Sequence, residues 1–136
     1  MEHISWIGVG LAGLTVFIIG ALWYGLIFAK LYRRELGVPD APVEGAKGPN
    51  LMFFVWQLLA ALILVLPLAW FLAASTAGEA TVVEGAVAGF VAAVLVSAAQ
   101  WQLFQAEGKS WKVLLLHIGY FIVALKLAGV VLSLFQ

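Results

Sequence analysis

Four stretches of this chain are apolar for long enough to cross a bilayer: Ile4 to Phe28, Leu51 to Ala74, Glu84 to Phe104 and Val113 to Phe135. Apart from Glu84 at the very start of the third, Lys126 is the only charge within them. An apolar run of about 18 residues or more has no water to bond its backbone once in hydrocarbon, so it must close its hydrogen bonds internally as a helix. The 136-residue chain has little left over, and its composition, 65% hydrophobic and 10% charged with a mean hydropathy of +1.10, lies outside the range of water-soluble domains. The expectation is an all-α membrane protein, a single four-transmembrane-helix bundle over residues 1–136, whose first partner is the lipid bilayer.

The longest connection, Lys30 to Asn50, holds the main charge cluster and is punctuated by Gly37, Pro39, Pro42, Gly45, Gly48 and Pro49, which predicts a loop with a short interfacial helix through Lys30 to Leu36. Orientation follows from the cations, because short loops rich in Lys and Arg stay in the cytoplasm. Lys30, Arg33, Arg34 and Lys47 lie in the first connection and Lys109 and Lys112 in the third, which four spans put on one side. The other side carries Glu2, His3, Glu79 and Glu84 and no Lys or Arg. Both termini are therefore expected outside the cytoplasm, in a bacterial inner (plasma) membrane. Met-Glu-His at the start lacks the cationic stretch of a secretory signal, and no small-residue cleavage pattern follows the first run, so that run is read as a retained helix.

Several function classes have no support. Seven cations balance seven acids, so there is no basic field for nucleic acid. The absence of cysteine removes disulfides, thiolate metal sites and thiol redox chemistry. Enzymatic chemistry needs a nucleophile with its base, a paired acid and base, or a metal set, and no such constellation lies in the spans. Glu35, Asp40, Glu44 and Glu107 are read as dispersed, solvated loop acids. No catalytic residue, metal site or cofactor is expected.

The polar and small residues inside the spans are then the informative ones. In lipid, close backbone contact through small residues carries much of helix packing. Gly85, Gly89, Ala93 and Ser97 recur every fourth residue in the third span, which predicts that this helix is the central, most buried one; the stripe serves packing within the chain or a homodimer seam. Gly119, Ile122, Lys126, Gly129 and Ser133 form a similar stripe in the fourth span. It predicts that Lys126 points between helices, held by the Thr15 hydroxyl and by the Ile63 carbonyl, which Pro67 four residues later cannot engage. The competing reading is a lysine that snorkels toward Glu84 or the headgroups.

His117 lies nine residues before Lys126, about half a turn away around the helix, so the two cannot share one central site. It is either a hydrogen-bonded residue near the boundary or an outward ligand to a haem, pigment or metal. Finally, Trp23, Tyr24, Trp56, Gln57, Gln100, Trp101, His117 and Tyr120 lie within about two turns of the cytoplasmic surface on all four helices. They are read either as an aromatic belt or as a small polar pocket lined by Trp23, Tyr24, Gln57, Gln100, His117 and Tyr120 and opening to the cytoplasm.

Gly20-Ala21-Leu22-Trp23-Tyr24 leading to Phe28, Leu103-Phe104 with Glu107-Gly108-Lys109-Ser110, then Gly119-Tyr120 and Gly129 together resemble the four-helix membrane proteins of domain-of-unknown-function family 1761. The resemblance covers nearly the whole chain. The family tends to carry Pro soon after the Trp-Tyr pair and Asn shortly before the Gly-Tyr pair, where this chain has Leu26 and His117. It implies the four-helix fold and no particular chemistry. Two functions fit: a non-catalytic accessory or scaffolding subunit packing with itself or a larger membrane complex, and a small oligomeric transporter or channel in which Lys126 lines an anion or solute path.

Overall fold

The computed structural model describes residues 3–37 and 50–136. Glu2, Asp40, Glu44, Lys47 and the Gly and Pro punctuation from Pro39 to Pro49 lie outside the described residues. The helices are α1 (Trp6–Leu22), continued by a π-helical turn (Trp23–Ile27), then α2 (Ala29–Leu36), α3 (Leu51–Thr76), α4 (Val82–Glu107) and α5 (Trp111–Leu134). Four of these segments, Trp6–Ile27, Leu51–Thr76, Val82–Glu107 and Trp111–Leu134, are long and apolar enough to cross a membrane. The protein is an all-α, four-transmembrane-helix bundle.

Helix starts coincide with side chains that accept the unpaired N–H groups of a first turn. Gly8 N–H donates to Ser5 Oγ at 3.1 Å and Phe53 N–H to Asn50 Oδ1 at 2.9 Å. At α4, Glu84 N–H donates to Thr81 Oγ1 while Thr81 N–H donates to Glu84 Oε2 at 2.7 Å, a reciprocal capping box. That box begins the helix at Val82, two residues before the apolar run suggests, and it occupies the Glu84 carboxylate expected as a snorkelling partner of Lys126. Gly37 and Gly108 close α2 and α4 with left-handed φ values of 72° and 66°.

The spans pack in the order α4, α5, α1, α3, with α3 touching α4 and α5 only lightly. The central helix is therefore α5, which packs against both α4 and α1, and not the third span as its small-residue stripe suggests. The stripe sets how close one neighbour comes, not how many neighbours there are. Gly85 and Gly89 of α4 meet Gly129 and Leu125 of α5 so closely that a Cβ built on Gly85 would overlap the Gly129 carbonyl oxygen, and one on Gly89 that of Leu125. Ala93 and Ser97 continue the buried face. This is packing within the chain.

On its other side α5 meets α1 through Val9, Ala12 and Val16, and these join Ala124, Leu125, Ala128 and Leu132 in one apolar core. Helix α3 adds Ala61, Val65, Leu68, Ala69 and Leu72, a stripe spaced three and four apart. None of its residues from Leu51 to Ala60 is buried; there α3 meets α1 through the edge-on Phe17–Phe54 contact, and its buried stripe begins at Ala61. At that end the Gln136 side-chain carbonyl accepts from Ala80 N–H at 3.2 Å and ties the last residue to the α3–α4 turn.

Candidate functional site

The end of the bundle that carries Lys109, Lys112 and α2 gathers most of the side-chain hydrogen bonds between distant parts of the chain. Its geometry starts from the π-helical turn, in which Phe28 N–H donates to the Trp23 carbonyl five residues back at 2.9 Å. Such a turn shifts the helix register by one residue. Two consecutive aromatic residues, Trp23 and Tyr24, both reach α5 there. Trp23 Nε1–H donates to the Leu116 carbonyl at 3.1 Å, and the Tyr24 hydroxyl shares a hydrogen bond with His117 Nδ1. Tyr120 Oη–H returns the contact by donating to the Val16 carbonyl at 3.0 Å, and its hydroxyl would lie 3.1 Å from a Cβ on Gly20, a tight contact. Gly119 likewise makes room for the Trp23 ring and faces α1, so it does not belong to the α4–α5 seam.

Helix α2 closes the cluster. The Tyr32 ring centroid lies 4.9 Å from that of Tyr24 and 6.2 Å from that of His117, and Phe104 of α4 stands edge-on to the imidazole at 5.5 Å. One turn on, Glu35 Oε2 accepts from Ser110 Oγ at 3.1 Å and Glu35 Oε1 lies 3.6 Å from Lys112 Nζ. The Glu35 side chain is only 15% exposed. It is therefore not the solvated loop acid expected from sequence; its carboxylate straps α2 to the first turn of α5, where the helix dipole favours negative charge.

Trp23, Tyr24, His117 and Tyr120 are thus brought together, and Tyr32 and Phe104 join them. The hydroxyl and indole donors point at protein acceptors, so these side chains form a packed cluster in place of an open polar pocket. Gln57 does not belong to it: with Trp56 and Trp101 it lies on the exposed surface, and α3 touches α5 only lightly. Gln100 is half-buried, and its Oε1, like Ser97 Oγ, is a buried polar atom without a hydrogen-bond partner among the described residues. The His117 ring turns inward between aromatic neighbours, not outward as a ligand shared with another molecule would require. Tyr32 carried a signal that spacing could have revealed, since with Phe28, Leu31 and Glu35 it falls on one face of α2.

The expected site of Lys126, Thr15 and Ile63 is not formed. Lys126 lies on the exposed side of α5 and has no hydrogen bond or ionic partner among the described residues. Ile63 is 67% exposed, Pro67 is exposed beside it, and the Thr15 hydroxyl donates to Leu11 of its own helix at 2.8 Å. The buried sector of α5 runs through Ala124, Leu125, Ala128, Gly129 and Leu132, and one residue beyond Leu125 turns the side chain by about 100°. Lys126 is carried out of the seam although its Cα borders Gly89.

Among curated proteins and among solved structures, nothing matches the chain. A family model, "Protein of unknown function (DUF1761)", matches residues 7–133, from the first turn of α1 to the last of α5 and across the whole aromatic cluster, and the chain belongs to that family.

Proposed function

We propose that this protein is a non-catalytic accessory or scaffolding subunit of a bacterial inner membrane, packing through its outward faces with itself or a larger membrane complex, with both termini outside the cytoplasm. The observation that carries this reading is Lys126, an ammonium deep in a span and directed out of its own bundle. Insertion scales assign a lysine at a helix centre about 2.5–3.5 kcal/mol, and such residues normally have a partner or a task. An acceptor on a neighbouring chain would offset that cost. The first ten residues of α3, none of them buried among the described residues and with Gln57 on their exposed surface, favour a neighbour for the same reason.

The interior supports packing over passage. Val16, Val65, Leu72 and Leu125 are fully buried in it and Lys126 lies outside it, so an anion or solute path that uses Lys126 would run between copies. That is the form in which the transporter reading survives.

The test compares wild type with Lys126→Met after extraction into nanodiscs directly from the native membrane. Wild type is expected in an assembly larger than one 14.6 kDa chain, and the Met variant to dissociate about three- to twentyfold more readily, with helix content unchanged. Monomers alone in both samples would contradict the reading. Anion flux in vesicles that Lys126→Met abolishes would favour transport.

A further inference from the structure

A groove of about 280 Å³ lies outside the aromatic cluster, between the end of the first span, α2 and the start of α5. Its walls are Trp23, Phe28, Leu31, Leu115 and Leu116, and its one charged lining residue is Lys112. We propose that this groove holds one anionic phospholipid, with an acyl chain against Phe28, Leu31, Leu115 and Leu116 and the phosphate at Lys112.

The polarity of the groove runs in the order a lipid requires. Lys112 stands in the first turn of α5, and Leu115 and Leu116 follow about one turn deeper. The other polar groups nearby are already engaged: the Leu116 carbonyl accepts from Trp23, and Glu35 accepts from Ser110. Lys112 is held more loosely, by the Glu35 ion pair and by the Trp111 ring, whose centroid lies 5.9 Å from the ammonium. Its ammonium is 3.6 Å from Glu35, beyond a good hydrogen bond, and its side chain is 44% exposed. A cation at the rim of an apolar groove complements a phosphate joined to a hydrocarbon tail. Free phosphate would leave the apolar walls unused, and a zwitterionic lipid would bring a second cation to a rim that already has one. The exposed cations of α2, Lys30, Arg33 and Arg34, add to the field that attracts an anionic headgroup.

The test uses the full chain, purified and stripped of lipid in mild detergent, with native mass spectrometry counting bound dioleoyl phosphatidylglycerol and dioleoyl phosphatidylcholine. One phosphatidylglycerol should be retained with about fivefold preference, the effect expected of one basic residue at a membrane surface. Lys112→Gln should abolish the preference and Lys112→Arg should keep it. Glu35→Gln, which removes the ionic strap but leaves the ammonium, should also keep it. Leu31→Trp, which fills the groove, should weaken both lipids. Equal retention of the two lipids by wild type, or an unchanged preference in Lys112→Gln, would overturn the proposal. Loss in Glu35→Gln equal to that in Lys112→Gln would overturn it too, by showing that Lys112 acts only by holding α2. Competition by glycerol phosphate at the lipid's own concentration would identify a free-phosphate site and refute the lipid assignment.

Discussion

Gly85 and Gly129 meet backbone to backbone, so that a Cβ added to either would fall on the carbonyl oxygen of the other. Helices α4 and α5 reach this separation only because neither carries a side chain there, and in lipid such contact replaces the hydrophobic drive that pairs helices in water. Gly129→Ala and Gly85→Ala should each destabilise the detergent-solubilised protein by about 1–3 kcal/mol or more through overpacking. Gly10 has nothing within 4 Å of its built Cβ, and Gly10→Ala should be neutral or stabilising by up to about 1 kcal/mol, since alanine is the better helix former. Thermal unfolding of the three variants checks this, and similar losses at all three positions would show that the seam does not bear on stability.

The hydroxyl of Tyr120 and the indole of Trp23 each span from one helix to a carbonyl of another. Interhelical hydrogen bonds in membranes average about 0.6 kcal/mol, with a maximum near 1.7. Tyr120→Phe should therefore cost about 0.6 kcal/mol, and Tyr120→Ala several times more, because the ring packs against Tyr24 and Phe121. A double-mutant cycle of Tyr24→Phe with His117→Ala measures the third link. Strict additivity in that cycle would mean the pair contributes no coupling.

Glu35 makes the strap between α2 and α5, and Glu35→Ala with Ser110→Ala should free α2 without unfolding the spans. With part of the contact exposed, we expect about 1 kcal/mol of local stabilisation to be lost, which corresponds to about fivefold faster amide exchange over Ala29–Leu36. Exchange in α4 should not change. Unaltered protection in α2 would leave Tyr32 as its main anchor.

In the proposed orientation, argued from the distribution of Lys and Arg, the α4–α5 turn faces the cytoplasm and the α3–α4 turn the other side. Cysteines introduced at Gln105 and Glu79, in a chain that has none of its own, report this directly with an impermeant thiol reagent on intact cells. Glu79→Cys should label and Gln105→Cys should label only after lysis. The reverse pattern would invert the topology.

Much of this architecture was legible in the sequence because lipid leaves the backbone few options. The four spans follow from length and polarity alone, and the short helix through Lys30 to Leu36 follows from its flanking Gly37. The Gly85, Gly89, Ala93 stripe also named its packing face correctly. The sequence is ambiguous where the direction of a side chain depends on the sector of a helix that its neighbours cover. A stripe through Gly119, Ile122, Lys126 and Gly129 fits helical periodicity as well as one through Leu125, Ala128, Gly129 and Leu132, yet the two share only Gly129 and are centred about 90° apart. Only the presence of two neighbours, α1 beside α4, selects the second. Tyr24 and Trp23 posed a similar difficulty, since a regular helix would not aim both at α5; the π-helical turn does, and no residue of Trp23–Ile27 announces it. The place of Gln57 is not legible for a related reason: depth in the bilayer is readable from sequence, while how lightly α3 touches α5 is not.

The reading of this protein as a packing subunit turns on what lies against Lys126. A photo-crosslinking amino acid at position 126, irradiated in the native membrane, reports that neighbour at the depth in question. We expect a discrete adduct joining this chain to a polypeptide, either a second copy or one recurring subunit, with the attachment mapped to a transmembrane segment and absent when the same probe is placed at the buried Leu125. Adducts to lipid alone at position 126, with no protein product, would contradict it and leave Lys126 as a residue that snorkels to the headgroups.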